Sequence, residues 1–192
     1  IGPIDFGLLY PLLLIPIGIM GASNGFNMLG GYNGLESGLG IIILSALGFI
    51  SWRSGVAWIA VVSFAMVFAL IAFYLYNKHP AKIFPGNMLT YSIGALIGCI
   101  AILANIEKAA LILFIPYFIE FFLKLRGLMQ IESFAKLNPD GSLLLPEKKL
   151  YGIEHLAILM LTKLKTKVTE LKVVLSLYLL EIILAIIAIF VR

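Results

Sequence analysis

With 192 residues, 61% of them hydrophobic, 12% charged and a mean hydropathy of +1.07, the chain departs from soluble domains, which carry about 45–50% apolar and about 25% charged residues. The composition places it in a bilayer and excludes an ordinary soluble fold. A lone Cys99 inside an apolar run excludes a disulfide framework and a cysteine metal cluster. The net charge of +4 reports membrane topology first, and no nucleic-acid partner is expected.

Six apolar stretches predict an all-α integral membrane protein: about Phe6 to Ala22, Leu35 to Ile50, Val56 to Tyr76, Met88 to Ala104, Ala109 to Leu123 and Val173 to Val191. A crossing helix takes roughly 20 apolar residues, and lipid tolerates no unpaired backbone. The second and fifth stretches are short, so tilt or extension into their flanks is expected. Residues 1–192 form a single membrane domain in this scheme.

If the spans alternate sides, the segments at about 23–34, 77–87 and 124–172 share one face and hold 11 of the 14 basic residues. Such an excess marks that face as cytoplasmic. Arg53, Lys108 and Arg192 remain for the other side. Within the last cytoplasmic segment, Asn138-Pro139-Asp140-Gly141 predicts a tight turn. Beyond it, Leu156, Leu159, Met160 and Leu164 recur at helical spacing beside Lys163, Lys165 and Lys167. That pattern predicts an amphipathic helix at the interface with its lysines toward lipid head groups, or else a short polar helix packed on the bundle.

Two polar insertions carry the chemistry. The first, Ser23 to Gly38, holds Asn24, Asn27 and Asn33 among five glycines, and such a run is expected to leave the helix. Carboxamide oxygens can ligate a hard cation or pair with a base edge, and glycines allow close backbone approach, although a plain Gly-rich connection has the same composition. In the second, Pro85-Gly86-Asn87 opens the fourth span, so a carboxamide and free N–H groups lie at the positive end of a helix dipole, where an anion or a simple cap would suit. His79 and His155 have no second ligand at metal spacing. Glu120 and Glu181 are the acids set in apolar sequence, where a carboxylate is a functional candidate. Glu120 precedes Lys124 at i,i+4 and predicts an ion pair, Glu181 has no local partner, and Pro116 predicts a bend in the fifth helix.

Together, the run from Asn24 through Asn27, Gly31, Asn33 and Glu36 to Gly38, followed by Phe84-Pro85-Gly86-Asn87, resembles the polyprenyl-phosphate sugar-1-phosphate transferases. It is most similar to the archaeal and eukaryotic branch acting on UDP-GlcNAc and dolichyl phosphate, and more distantly similar to the bacterial phospho-MurNAc-pentapeptide translocase. The likeness takes in the leading Ile4-Asp5-Phe6-Gly7 and the Asp140-Gly141 turn. The resemblance implies a ten-helix enzyme with a cytoplasmic active site, in an archaeal plasma membrane or an endoplasmic reticulum. It would transfer GlcNAc-1-phosphate from UDP-GlcNAc to dolichyl or polyprenyl phosphate and release UMP, with Mg2+ or Mn2+ as cofactor. By motif match Asn27 and Asn87 fall on metal-ligand positions, and Gly31, Asn33 and Phe84 on positions that sandwich and read the uracil. Asn24, Glu36, Lys124, Arg126 and Lys136 are further substrate-binding candidates, and a homodimer is compatible with the family.

Three departures accompany the likeness. Asn87 stands where the family has an Asp, the family's basic His-containing motif has no clear match around Gln130 to Asn138, and no Asp-Asp pair occurs in the chain. The expectation is therefore a C-terminal part of a longer protein that does not turn over substrate alone. Two alternatives stay open: an inactive or regulatory homologue, and a membrane transporter.

Overall fold

Long apolar runs without internal breakers wind into helices, and the computed structural model, which describes residues 6–128, 135–146 and 150–191, is built mostly of them. A π-helical turn, Tyr10–Leu14, leads into α1 (Ile15–Met28). Then follow α2 (Leu35–Arg53), α3 (Ala57–Asn77), α4 (Gly86–Leu103), α5 (Glu107–Leu113), α6 (Ile115–Arg126), α7 (Ile153–Lys163) and α8 (Glu170–Phe190). Between α6 and α7 lies a small hairpin of β1 (Lys136–Leu137) and β2 (Leu143–Leu144), antiparallel with Lys136 opposite Leu144. It adds a two-stranded element to an otherwise helical chain.

Among the described residues, α2, α3, α4 and α8 are long and apolar enough to cross a membrane. They correspond to the second, third, fourth and sixth predicted stretches. The other two differ in form. The first stretch is divided between the π-helical turn and the 14 residues of α1. The fifth is broken at Phe114 into α5 and α6, with Pro116 in the first turn of α6. Proline has no N–H to continue the ladder, so the bend falls where its position predicts.

The expectation that the chain leaves the helix at Ser23 is corrected, because α1 runs on to Met28. The polar side chains of this last stretch find partners without unwinding it: Asn24 Nδ2 donates to the Met20 carbonyl at 2.8 Å and Ser23 Oγ to the Tyr91 carbonyl at 2.9 Å. Only from Leu29 to Gly34 does the chain form a true connection.

Helix α2 packs mainly on α3 and α8, and α1 on α4. The last pair meets backbone to backbone. A Cβ at Gly94 would lie 2.5 Å from the Ala22 carbonyl oxygen, and one at Gly98 would lie 3.1 Å from the Ile19 Cα. This small-xxx-small spacing gives van der Waals contact where lipid offers no hydrophobic drive for helix association. On its other side α1 is held by aromatic stacking: Tyr117 of α6 lies over Phe26 with centroids 5.5 Å apart and over Phe114 at 4.7 Å.

The loops at one end of the bundle are tied by polar contacts. In the hairpin, Gly141 N–H donates to the Asn138 carbonyl and Asp140 Oδ1 accepts from Ser142 Oγ at 2.6 Å, so the predicted turn forms. The Ser142 hydroxyl holds the Asp140 carboxyl below its ordinary value. Glu120 and Lys124 pair at 3.0 Å, as their spacing predicts. Lys124 Nζ also donates to the Met28 carbonyl at the end of α1, and Glu120 Oε2 accepts from the Ile153 N–H that starts α7 at 2.6 Å. A cation thus meets a helix C-terminus and an anion a helix N-terminus, the favourable sense for both dipoles.

Helix α7 buries Ile153, Glu154, His155, Ala157 and Ile158, whereas Met160 and Leu164 of the predicted apolar stripe are 67% and 69% exposed. The short helix is packed against α6 and α8 through its first half. Glu154 is 1% exposed, and neither of its carboxylate oxygens has a hydrogen-bond partner among the described residues. Burial first, and the nearby Glu120 charge second, hold its carboxyl well above the ordinary carboxylate range. Glu181 of α8 is likewise buried with neither oxygen bonded among the described residues. The leading Ile4-Asp5, most of the Gln130 to Asn138 stretch, Lys148, Lys149 and Arg192 lie outside the described residues.

Two outcomes follow from this packing. Gly94→Ala forces a methyl into the α1 backbone and is expected to cost about 1–3 kcal/mol, seen as a lower thermal midpoint, whereas Gly55→Ala, at a glycine with open space around its Cβ position, should report only its own loop strain. A carboxyl whose pKa is raised by folding supports the native state while protonated and opposes it once the pH passes its unfolded value. Glu154→Gln should therefore raise the midpoint by an amount that is small at about pH 4 and grows toward about pH 7. Melting curves across that range check this, and a pH-independent difference would contradict it.

Candidate active site

The close α1–α4 crossing places the two polar insertions side by side. Asn27 sits in the last turn of α1 and Thr90 in the first turn of α4, and the Thr90 hydroxyl donates to Asn27 Oδ1. The same hydroxyl lies 3.2 Å from the carbonyl oxygens of Gly86 and of Asn87. Thr90, itself buried, thus links the Asn27 side chain to the main chain at the start of α4, where Asn87 lies. Thr90 was not anticipated, although its position one helical turn beyond Asn87 is legible. The Asn87 side chain is exposed, and Gly86 adopts φ +59°, a left-handed conformation that favours glycine.

Asn33 is placed at the centre of a second cluster. Its backbone N–H and its Nδ2 both donate to Glu170 Oε1, at 2.6 and 2.5 Å, and its Oδ1 accepts from the Ala81 N–H at 3.0 Å. Asn77, which the sequence pattern did not single out, is fully buried at the end of α3. Its Oδ1 accepts from Ser37 Oγ at 2.6 Å and its Nδ2 donates to the Ile83 carbonyl at 2.9 Å. These contacts tie the α1–α2 connection to the α3–α4 connection that carries Phe84. Phe84 itself is 63% exposed, so its ring is available to a planar ligand.

Gly31 is exposed at φ +102°, and its N–H donates to Glu36 Oε1 at 2.8 Å. Glu36 thereby folds back over its own helix start, and a Cβ at Gly30 would lie 2.4 Å from the same carboxylate oxygen. Its second oxygen is buried without a hydrogen-bond partner among the described residues. Tyr32 beside it is buried, accepts from the Ala135 N–H at 3.3 Å, and has its phenol pushed up to about 12, chiefly by burial. Asn24 turns back on its own helix, and Lys124 is engaged by Glu120 and Met28. Arg126 and Lys136 are exposed on the same end of the molecule.

Beneath this polar face a groove of about 610 Å³ runs between α1, α4 and the broken α5–α6 pair. Gly18, Gly21, Ile97, Ala101, Phe118 and Phe122 are among its lining residues, and Asn24 and Met28 lie along it as well. Its walls are almost wholly apolar, which suits a hydrocarbon chain.

The residues implied for a metal do not by themselves make a Mg2+ site. Asn27 and Asn87 offer neutral carboxamides, Asn27 Oδ1 already accepts from Thr90, and no group of three His, Cys, Asp or Glu able to hold a metal occurs among the described residues. Mg2+ favours one or two carboxylates with substrate phosphates in near-octahedral geometry. No chemical step is therefore assigned to a metal here.

The sequence profile of Glycosyl transferase family 4 matches residues 1–105. A protein of Saccharolobus solfataricus, provisionally named UDP-N-acetylglucosamine–dolichyl-phosphate N-acetylglucosaminephosphotransferase, is 44% identical over 191 residues, covering 98% of this chain and 58% of the relative. A Sulfolobus acidocaldarius protein with the same provisional name is 36% identical over 98% of this chain and 56% of its own length. The phospho-N-acetylmuramoyl-pentapeptide-transferase of Halalkalibacterium halodurans is 37% identical over 68% of this chain and 39% of its own. The chain thus spans somewhat over half the length of the two archaeal relatives. With a profile match over more than half of its residues, and with relatives aligned along nearly all of it, this chain belongs to Glycosyl transferase family 4.

Proposed function

We propose that the protein takes part in transfer of a sugar-1-phosphate from a nucleotide sugar to a polyprenyl phosphate in the membrane, with UDP-GlcNAc and dolichyl phosphate as the substrates. The observation that carries this is the apolar groove along α1 and α4, the two helices whose linked ends carry Asn27 and Asn87, in a member of this family. A lipid phosphate must bring a charged head and a hydrocarbon tail to one place, and α1 offers both surfaces. Its glycines Gly18 and Gly21 border the groove, and Asn27 follows in the last turn of the same helix.

In the proposed reaction a phosphate oxygen of the lipid attacks the UDP-GlcNAc phosphorus bonded to the sugar. A new P–O bond forms, the bond to the UMP oxygen breaks, and the electron pair leaves with UMP. The chain's own contribution is placement, which dominates phosphoryl transfer. The exposed Phe84 ring and the bare Gly31 backbone would hold the uracil, Asn27 and Asn87 would orient phosphate oxygens, and Arg126 and Lys136 would attract the anionic substrates. Mg2+ or Mn2+, the cofactor of the family's reaction, would require anionic oxygens beyond Asn27 and Asn87.

The membrane arrangement belongs to the same proposal. The π-helical turn with α1 and the α5–α6 pair supply two further crossings beside α2, α3, α4 and α8, giving six. The end bearing Asn27, Asn33 and Glu170 faces the cytoplasm, as its share of lysines favours. On α7, exposed Met160 and Leu164 beside Lys163 and Lys165 reach the lipid interface. A transporter would need a polar path through the bundle, whereas the walls of the groove are almost wholly apolar.

Two measurements on the natural full-length protein test this. Asn27→Ala is expected to lower UMP release from UDP-GlcNAc by about 10²-fold, the scale of a lost oriented contact to the reacting phosphate, and unchanged turnover would remove Asn27 from the site. Gly21→Leu, at a position with open space beside it, should fill the groove. Its KM for the lipid phosphate should rise about tenfold or more while the KM for UDP-GlcNAc stays put. Equal effects on both would argue against a tail in the groove.

A further inference from the structure

We propose that Glu170 is a positioning residue that locks the α1–α2 and α3–α4 connections in one arrangement and so sets the mouth of the candidate nucleotide site. The functional half of this statement rests on the transferase proposal above. Glu170 opens α8, where an acid would ordinarily serve its own helix dipole. Its carboxylate points elsewhere. Oε1 accepts both N–H groups of Asn33, at 2.6 and 2.5 Å, and Oε2 faces His79 Nδ1 at 3.6 Å. Asn33 passes the restraint on, because its Oδ1 accepts from the Ala81 N–H at 3.0 Å.

Three stretches distant in sequence, at Asn33, at His79 to Ala81 and at Glu170, are thereby fixed by one carboxylate. None of the three contacts belongs to a helix ladder, so without Glu170 both connections lose a charge-assisted anchor. The consequence reaches the site directly, since Phe84 and Asn87 follow Ala81 within the same connection and Gly31 precedes Asn33. The same geometry orients Asn33. One N–H of its Nδ2 and one lone pair of its Oδ1 are engaged, so the second N–H and the second lone pair stay available for the uracil edge that the family resemblance gives it, in a carboxamide that Glu170 holds in place. Asn33 is the clasp, and Glu170 is what it closes on.

The test uses Glu170→Ala and Glu170→Gln, alone and with Asn33→Ala, in the natural full-length protein. Amide hydrogen exchange is followed at residues 31–34 and 79–83, and steady-state UMP release gives the kinetic constants. Glu170→Ala should speed exchange in both segments and raise the KM for UDP-GlcNAc about tenfold, while the KM for the lipid phosphate is unmoved. Glu170→Gln keeps an acceptor oxygen and the same size, so it should fold normally and restore most of both properties. The double variant Glu170→Ala with Asn33→Ala should be no worse than either single one. Unchanged exchange in both segments, or additive losses in the double variant, would overturn the assignment. If the wild-type protein releases no UMP while Glu170→Ala still speeds exchange in both segments, the clasp stands and the transferase proposal falls.

Discussion

The Glu120–Lys124 pair on α6, its acid buried and its amine half-buried, is the contact on which the arrangement of the loop-rich end depends. Two charges taken from water recover their hydration only when each finds more than the other. Here each does: Lys124 caps the last carbonyl of α1 and Glu120 accepts from the first N–H of α7. The pair therefore fixes two helix ends at once, one of them the turn that carries Asn27. It also gives Lys124, a substrate-ligand candidate by sequence pattern, two partners within the fold. Removing Lys124 strands the buried Glu120 carboxylate, at a cost of about 3–5 kcal/mol, whereas removing Glu120 leaves a lysine that still reaches solvent.

With its end so fixed, α1 serves two surfaces through the usual helical repeat. The glycines of α4, Gly94 and Gly98, approach α1, while Gly18 and Gly21 of α1 border the groove and its asparagines lie in the last two turns. Close approach of α1 and α4 is what brings Thr90 within reach of Asn27, so packing of small residues in the apolar layer determines polar geometry one turn away. The aromatic stack of Phe26, Tyr117 and Phe114 holds the broken α5–α6 pair against α1, and Phe114 and Tyr117 are part of the groove wall.

What the sequence discloses and what it withholds divide along a physical line. Features set by local spacing were legible: the apolar runs of α2, α3, α4 and α8, the break near Pro116, the hairpin turn at Asn138 to Gly141, and the i,i+4 pair Glu120–Lys124. Features set by partners far along the chain were not. Asn24 looked like a residue outside a helix, yet a bond to Met20 four residues back keeps α1 wound through it. The stripe of Leu156, Leu159, Met160 and Leu164 pointed to an interfacial or packed amphipathic helix, but nothing local announced that α7 buries Glu154 and His155, which follow from Glu120 holding its first turn inward. Of the site, the motif residues Asn27, Gly31, Asn33, Phe84 and Asn87 stood out in sequence. Thr90, Asn77 and Glu170 did not, because each acts through a contact across 40 to 137 positions.

The charge of the site follows from the same division. Its carboxylates are spent internally: Glu36 on Gly31, Glu170 on Asn33, Glu120 on Lys124 and Ile153. The motif residues at the linked ends of α1 and α4 are neutral, the carboxamides of Asn27 and Asn87, with Arg126 and Lys136 exposed in the neighbouring segments. A neutral surface with cations nearby accepts dianionic phosphates without the repulsion that free carboxylates would impose. By the same token it cannot by itself concentrate a hard divalent cation. The chain's geometry therefore suits it to holding and aligning the two phosphates and the lipid tail, and any carboxylate chemistry of the transfer must be contributed from outside these described side chains.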